Sequence, residues 1–247
     1  MNILDWLSIH HTLVNIPIGS GYAMSWIEAV GTVCGLLCIW FASQEKTINY
    51  LFGLINVTLF AIIFYQIQLY GNLLLQLFFF CANLYGWYAW SYGKGETGQP
   101  LQIRWLNRSQ LLVITVVSLV AIGLMTRFID PVFQALANLS VNVMNLLGAD
   151  LPASKISPDA FPFWDSVITV LSIVAQILMA RKLVENWWLW VLINIVSICV
   201  YAAQGVYALS IEYFILMFIS ANGAREWMGK ARQNPAKSNR GIEEATA

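Results

Sequence analysis

Residues 185–194 read Glu-Asn-Trp-Trp-Leu-Trp-Val-Leu-Ile-Asn and open an apolar run that continues to residue 203. A run of this length is near the lower limit of the ~17 to 25 residues that a helix needs to cross a bilayer. On such a helix Trp187, Trp190 and Asn194 are spaced i, i+3 and i+7, so they share one face. The stretch therefore predicts a membrane-spanning helix whose flat aromatic face ends in a hydrogen-bonding amide.

The whole chain has the composition of an integral membrane protein. Of its 247 residues, 59% are hydrophobic and only 11% are charged, whereas an average soluble domain has roughly 25% charged residues. Seven apolar runs are close to spanning length, and the fourth is the shortest. They cover 26–42, 50–66, 73–90, 111–125, 163–180, 187–203 and 209–224. The sequence predicts an all-α protein with seven transmembrane helices.

The basic residues are distributed unequally between the two sides of the predicted membrane. Of the 13 Lys and Arg residues, only Arg127 and Lys155 fall on the side of the N-terminus. Because cytoplasmic loops carry an excess of Lys and Arg, this asymmetry predicts an external N-terminus and a cytoplasmic C-terminus.

The first three and last three runs form a repeat. A shift of 137 residues superimposes both short links and all three run lengths without a gap. It also pairs Glu28 with Asp165, Thr32 with Thr169, Asn49 with Asn186, Tyr70 with Tyr207, Gly86 with Gly223 and Trp90 with Trp227. One run separates the triplets, so both enter the membrane from the same side. Parallel repeats of this kind occur in transporters, with the substrate site between the halves.

The chain is therefore predicted to be two parallel three-helix repeats joined by a linker helix, a 3+1+3 arrangement. The expected segments are 1–22, an N-terminal interfacial amphipathic helix; 23–91, the first repeat; 92–162, the linker with the fourth span; 163–228, the second repeat; and 229–247, a cytoplasmic tail. The interfacial helix is expected because Trp6, Leu7, Ile9, Leu13 and Val14 suit one apolar face. An external stretch after the fourth span is expected to hold a surface helix.

Polar side chains inside spans are expected to face the bundle interior, because lipid offers them no partner. The fifth run carries Thr169, Ser172 and Gln176 at i, i+3 and i+7. Together with the Trp187, Trp190 and Asn194 face, they would enclose a pocket with amides on one wall and indoles on the other. Alternatively, Ser and Thr bond to their own helix and the tryptophans form an interfacial belt. A belt is favoured for Trp87, Trp90 and Trp188, whereas belt and pocket stay open for Trp187 and Trp190.

The first half offers fewer polar groups at the matching places. Gly53 stands opposite Trp190 and Val57 opposite Asn194, so binding is expected mainly in the second repeat. The further candidates are Asn56, Gln76, Asn83, Tyr85 and, from the last run, Asn222. For Asn83 an interhelical hydrogen bond is an equal alternative.

Several kinds of chemistry are disfavoured. No glycine-rich phosphate loop, chain of intramembrane acids or nucleophile beside a base is present, so neither an enzyme nor a cofactor is expected. Cys34 and Cys38 lack further ligands for a metal, and nothing points to nucleic acid. No basic residue is expected at mid-membrane to pair with a phosphate. A flat neutral or weakly cationic ligand fits the indole faces best. The alternatives are a carrier of a sugar or of a thiamine-like vitamin, and a membrane-embedded enzyme.

The run Phe163-Trp164-Asp165, followed by Gln176, Trp187, Trp190 and Asn194 and then by Gln204-Gly205 and Tyr207, resembles the bacterial nicotinamide riboside transporter family (PnuC). The resemblance extends over residues 26–227. It implies a fold similar to that of SWEET sugar transporters, a homotrimer in the bacterial inner membrane, and uptake of nicotinamide riboside for NAD synthesis. It further implies facilitated diffusion with trapping by a cytoplasmic kinase, and substrate contacts from Gln176, Trp187, Trp190 and Asn194.

Overall fold

The computed structural model describes residues 7–16, 22–67, 70–94, 98, 100–153, 155, 161–205 and 207–233. These residues form seven α-helices and one short β-hairpin. The helices are α1 (Trp26–Ser43), α2 (Asn49–Gln66), α3 (Tyr70–Tyr92), α4 (Arg108–Leu146), α5 (Pro162–Ala180), α6 (Glu185–Ala203) and α7 (Tyr207–Gln233).

Within this described part, six helices, α1 to α6, are long and apolar enough to cross a membrane. A helix satisfies its backbone hydrogen bonds internally, which lets apolar sequences of this length lie in lipid. The helix α7 is long enough, but Glu212, Asn222, Arg225 and Glu226 make it more polar than the others. The predicted helical membrane class is confirmed, and α7 continues beyond the predicted end of the second repeat at residue 228.

The N-terminal segment differs from the prediction. Residues Thr12–Ile16 (β1) and Tyr22–Ser25 (β2) form an antiparallel pair instead of an interfacial helix. The prediction is therefore wrong for Leu13 and Val14, and also for Leu7 and Ile9, which lie in turns before β1. Residues 1–6 and 17–21 lie outside the described part. A short run of apolar residues fits either period, and the β-branched residues of β1 favour a strand.

The linker helix is longer than predicted. The fourth span was expected over 111–125, whereas α4 continues to Leu146 with non-helical backbone angles at Phe128 (φ −122°, ψ 16°). Pro131 lacks an N–H group and its ring displaces the preceding turn, which bends the helix without ending it. The predicted span and the predicted surface helix are thus two parts of one kinked helix.

The helix contacts follow the same pattern in both triplets. The middle helix packs on both neighbours: α2 on α1 and α3, and α6 on α5 and α7. Between the triplets, α1 contacts α7 and α3 contacts α5, which are equivalent pairs under the repeat. Helix α4 packs between α3 and α5.

One end of the bundle is closed by equivalent indole groups, and we call it the Trp227 end. The Nε1–H of Trp90 donates to the carbonyl of Met179 at 3.3 Å, and that of Trp227 donates to the carbonyl of Ala42 at 3.2 Å. Each residue of one bond is the 137-residue equivalent of its counterpart in the other. Trp90 is buried between Tyr50 and Trp227, so its favoured interpretation as an interfacial belt residue is wrong.

Charged groups join three segments at the same end. Glu45 accepts from Lys182 at 2.8 Å and from Lys230 at 3.0 Å. Glu45 and Lys182 are also equivalent positions, and both adopt left-handed backbone, with φ of 64° and 55°. The two interhelical links therefore turn alike and meet through opposite charges. The Lys182 Nζ additionally lies 4.9 Å from the centre of the Trp90 ring.

Candidate functional site

A stripe of aromatic and polar side chains runs along the inner face of α6. It comprises Trp187, Trp190, Asn194, Ser197 and Tyr201, spaced three or four residues apart and therefore aligned on one face. Trp187, Asn194 and Ser197 are buried, and Trp190 and Tyr201 are half-buried. This face points into the protein as predicted, and we refer to it as the α6 stripe.

The first residue of the α6 stripe belongs to the closed end. The Trp187 ring is fully buried and packs edge-on against Trp227, with ring centres 5.5 Å apart. It also fits against Gly223, where an added Cβ would lie 2.6 Å from the ring. Trp187 is consequently a packed core residue in this structure and does not lie in an interfacial belt.

The middle of the α6 stripe holds polar atoms with spare hydrogen-bonding capacity. Asn194 donates through Nδ2 to Ser220 Oγ at 3.1 Å. Trp190 Nε1 and Ser197 Oγ are buried without a partner in the part of the chain that the structure describes. Since buried polar groups are almost always paired, such atoms mark a place where a polar ligand would be stabilised.

The facing helix α5 contributes the other predicted wall. Gln176 is buried, while Thr169 and Ser172 are half-buried. Trp190 packs against a buried apolar cluster whose members from α5 are Val167, Val170, Leu171 and Ala175. Helices α5 and α6 pack against each other, and the pocket between the polar face of α5 and the α6 stripe stays a prediction.

A cavity of about 600 Å³ lies at the opposite end of the bundle from Trp227. Its volume is within the range of ~300 to 1,000 Å³ typical of small-molecule sites. The α6 stripe reaches it at Tyr201. Its polar lining residues are Ser25, Glu28, Asn56, Asn72, Gln76, Tyr201 and Tyr213.

The structure divides the candidates from the remaining helices into two groups. Asn56 and Gln76 line the cavity, and Asn56 also donates to the carbonyl of Gly31 at 2.8 Å. Asn83 is buried and donates to the carbonyl of Phe79 in its own helix at 2.8 Å. Its Oδ1 lies where a Cβ on Gly53 would meet it at 2.5 Å. Asn222 is half-buried on α7.

Four residues of this region escaped the sequence analysis, although the sequence held signals for them. Ser197 and Tyr201 continue the helical spacing of Asn194. Tyr213 is the 137-residue equivalent of Gln76, and Ser220 is that of Asn83. Applying the repeat to every polar residue would have found the last two.

Helices long and apolar enough to span a membrane, with a cavity of ligand size at one end of the bundle, are the architecture of a small-molecule transporter. The profile of the nicotinamide mononucleotide transporter family matches residues 25–229. The chain belongs to this family, and the resemblance drawn from its motifs is confirmed.

The chain is similar to the nicotinamide riboside transporter PnuC of Escherichia coli K12, with 57% identity over 236 residues, which is 95% of this chain and 99% of the relative. It is also similar to the riboflavin/roseoflavin transporter RibM of Streptomyces davaonensis, with 26% identity covering 85% of this chain and 87% of the relative. Among solved structures, the crystal structure of the vitamin B3 transporter PnuC matches with a TM-score of 0.58 and 27% identity, covering 84% of this chain and 83% of that chain.

Proposed function

We propose that this protein carries nicotinamide riboside across the bacterial inner membrane. The observation that supports this most is the α6 stripe, which meets the cavity at Tyr201 and holds the unpaired Trp190 and Ser197 groups deeper in the core. The names of the relatives support the riboside. The family is described by the mononucleotide, but no residue of the α6 stripe is basic, so a phosphate would lack a charged partner there.

The helices are proposed to form two parallel repeats joined by α4, as in the 3+1+3 arrangement, with boundaries near 23–91 and 163–228. The equivalent hydrogen bonds of Trp90 and Trp227 support this arrangement. So do the equivalent contacts of α1 with α7 and of α3 with α5. The substrate site would lie between the repeats, as in other transporters built from repeats.

The pyridinium ring is proposed to stack on Trp190, while Asn194 and Gln176 hydrogen-bond its carboxamide and the ribose. Thr169 and Ser172 would add hydroxyl groups from α5. Ligand contact with Trp187 would require its packing against Trp227 to loosen.

The remaining candidates contribute from the other helices. Asn56 and Gln76 are proposed to guide the substrate through the cavity that they line. Asn83 on α3 and Asn222 on α7 would face the bound substrate.

The cavity end is proposed to be external and the Trp227 end cytoplasmic, because basic residues concentrate at the latter. Release would then require the Glu45, Lys182 and Lys230 contacts to break. Uptake would be facilitated diffusion, with a cytoplasmic kinase trapping the product, and the protein is proposed to assemble as a homotrimer.

Uptake of labelled nicotinamide riboside into proteoliposomes tests the function and the site together. Wild-type protein should equilibrate the riboside without an ion gradient, and the recovered substrate should be chemically unchanged. A Trp190→Ala, Asn194→Ala double variant should lose uptake. Leu192→Ala, on the exposed face of the same helix, should retain it. Intact uptake by the double variant would refute the site.

The similarity to RibM makes riboflavin a second candidate substrate. Riboflavin is flat like the riboside and, unlike it, uncharged; the stripe offers only stacking and hydrogen bonds, so it does not exclude riboflavin. Competition by unlabelled riboflavin, thiamine and glucose against riboside uptake separates these carriers. Stronger competition by any of them than by unlabelled riboside would reassign the substrate.

A further inference from the structure

The cavity beside Tyr201 has an acidic wall. Among the lining residues that the structure describes, Glu28 is the one with a charged side chain. It lies in the first turn of α1, and its backbone N–H donates to Ser25 Oγ at 3.4 Å. Negative charge is stabilised at this position because the N-terminus of a helix carries partial positive charge.

Other acidic groups act on the same region. Glu212 on α7 interacts electrostatically with Glu28, and Asp165 at the start of α5 does so with Tyr201. Glu212 and Asp165 are not among the described lining residues of the cavity, so Glu28 is the acid in its wall and the other two act on the cavity from farther away. Positive potential on a ligand would be favoured there.

An aromatic pair lies on the same cavity wall. The rings of Tyr201 and Tyr213 are stacked, with centres 5.3 Å apart and planes 8° from parallel, and both line the cavity. The face of an aromatic ring attracts cations and also stacks on flat rings. Asn56 and Gln76 add amide groups within the same cavity.

We propose that this cavity is a separate binding site for aromatic cations, selecting them by charge before they reach the α6 stripe. Glu28 and the Tyr201–Tyr213 pair would hold a pyridinium ring, and Glu28 would repel anionic, phosphorylated forms of the same nucleoside. For nicotinamide riboside as the ligand, the proposal rests on the proposed function.

The distribution of charge explains why ligands would be selected by charge in the cavity and not at the α6 stripe. The α6 stripe is uncharged from Trp187 to Tyr201 and offers stacking and hydrogen bonds, which a nucleoside and its phosphate share. Glu28 distinguishes the two through the sign of their net charge. About 16 Å of helix separates Trp190 from Tyr201, so the two places act in sequence.

Binding to the purified protein in detergent tests the cavity independently of transport. The probes are 1-methylnicotinamide, which is a pyridinium cation because its ring nitrogen is methylated, and nicotinamide, its neutral counterpart, with intrinsic fluorescence as the readout. Glu28→Gln should weaken the cation roughly threefold to thirtyfold and leave the neutral probe unchanged. Glu28→Asp should retain part of the preference. Glu226→Gln, an exposed acidic position near the Trp227 end of α7, is the matched control.

Equal weakening of both probes, or no preference for the cation in wild-type protein, would overturn the proposal. Thermal unfolding establishes that each variant is folded. If Glu28→Gln does not fold, Tyr213→Leu provides the second test, because it removes a ring while keeping the charge. Cation binding that Tyr213→Leu leaves intact would then overturn the proposal.

Transport adds a second readout. Nicotinamide mononucleotide should inhibit riboside uptake more strongly in Glu28→Gln than in wild type. The riboside KM of wild type should rise with ionic strength more than that of the variant. Riboside uptake with unchanged discrimination in Glu28→Gln would overturn this inference alone. Absence of riboside uptake by wild type would overturn the proposed function, and the binding comparison would still decide the cavity.

Discussion

Glu45 joins the first repeat to the second at the Trp227 end. Burial by itself raises the pKa of this carboxyl group, but the hydrogen bonds and charges of Lys182 and Lys230 outweigh burial and hold the pKa below its ordinary value of 4.5. A group with a lowered pKa in the folded state binds protons more readily after unfolding. Its stabilisation is therefore complete above pH 4.5 and is lost as the pH falls through the folded value.

Glu45→Gln should lower the free energy of unfolding at pH 7 by about 1 to 3 kcal/mol, because both lysines lose a charged acceptor. The difference from wild type should shrink below pH 4.5, where the wild-type carboxyl also becomes protonated. Thermal unfolding in detergent across this pH range measures both effects. Glu226→Gln controls for loss of an exposed acidic group, and an equal loss in that variant at pH 7 would contradict the role of the ion pairs.

Gly223 allows α7 to approach the Trp187 ring. Because a Cβ there would lie 2.6 Å from the indole, Gly223→Ala should destabilise the protein by about 1 to 3 kcal/mol. Gly229→Ala is the matched control on the same helix, since an added Cβ meets none of the residues that the structure describes within 4 Å. The midpoint of thermal unfolding should fall for the first variant and stay level or rise for the second. The same midpoint for both would show that the close packing is dispensable.

The two helix triplets contact each other in two places, where α3 packs against α5 and α1 packs against α7. Each contact contains one indole N–H donating to a carbonyl near the end of the facing helix. The two rings also touch, with centres 5.8 Å apart. The two contacts between the triplets therefore contain the same kind of hydrogen bond, and their indole rings touch each other.

Trp90→Phe and Trp227→Phe should each lower the stability by about 1 kcal/mol, because each removes a buried indole hydrogen bond. The Met179 and Ala42 carbonyls would keep the backbone N–H groups of Lys182 and Glu45 as donors. The double variant should depart from additivity, since residues in contact couple. Chemical unfolding of the four proteins in the cycle provides the measurement. Trp188→Phe controls for loss of an indole at an exposed position of α6. If the losses in free energy of unfolding add exactly in the double variant, the two indole contacts are independent.

For the whole molecule, the cavity and the closed Trp227 end lie at opposite ends of the bundle. Opening the Trp227 end would separate Glu45 from Lys182, because they lie on the links of different triplets. A carrier that equilibrates its substrate must open both ends in turn, so fixing this pair should stop transport.

A Glu45→Cys, Lys182→Cys variant should lose riboside uptake when a short bifunctional thiol reagent links the two positions, and should regain it after reductive cleavage of the linker. The background must lack Cys34, Cys38, Cys81 and Cys199, which are free thiols. Each single cysteine variant treated with the same reagent is the control. Full uptake by the linked protein would show that this end does not open during transport.

Helical periodicity and the scarcity of charge were sufficient to predict the helical membrane class and the inward face of α6. These features are local, because lipid forces apolar runs into helices and a period of 3.6 residues fixes which side chains share a face. The 137-residue shift also pairs Trp90 with Trp227 and Gly86 with Gly223 from the sequence alone. The same local rules failed at Leu13 and Val14, where a short segment fits a strand or a helix.

What the α6 face meets was decided by tertiary structure alone. Trp187 and Trp90 became core residues because Trp227, distant in sequence, packs against both. Asn194 donates a hydrogen bond to Ser220 on α7, and the stacked rings of Tyr201 and Tyr213 connect α6 to α7 at the cavity. The sequence determined which groups turn inward. The packing of helices from both repeats decided which of these inward side chains close the Trp227 end and which remain available to bind a ligand. Contacts between distant segments leave no local pattern in the sequence, so the sequence alone does not predict them.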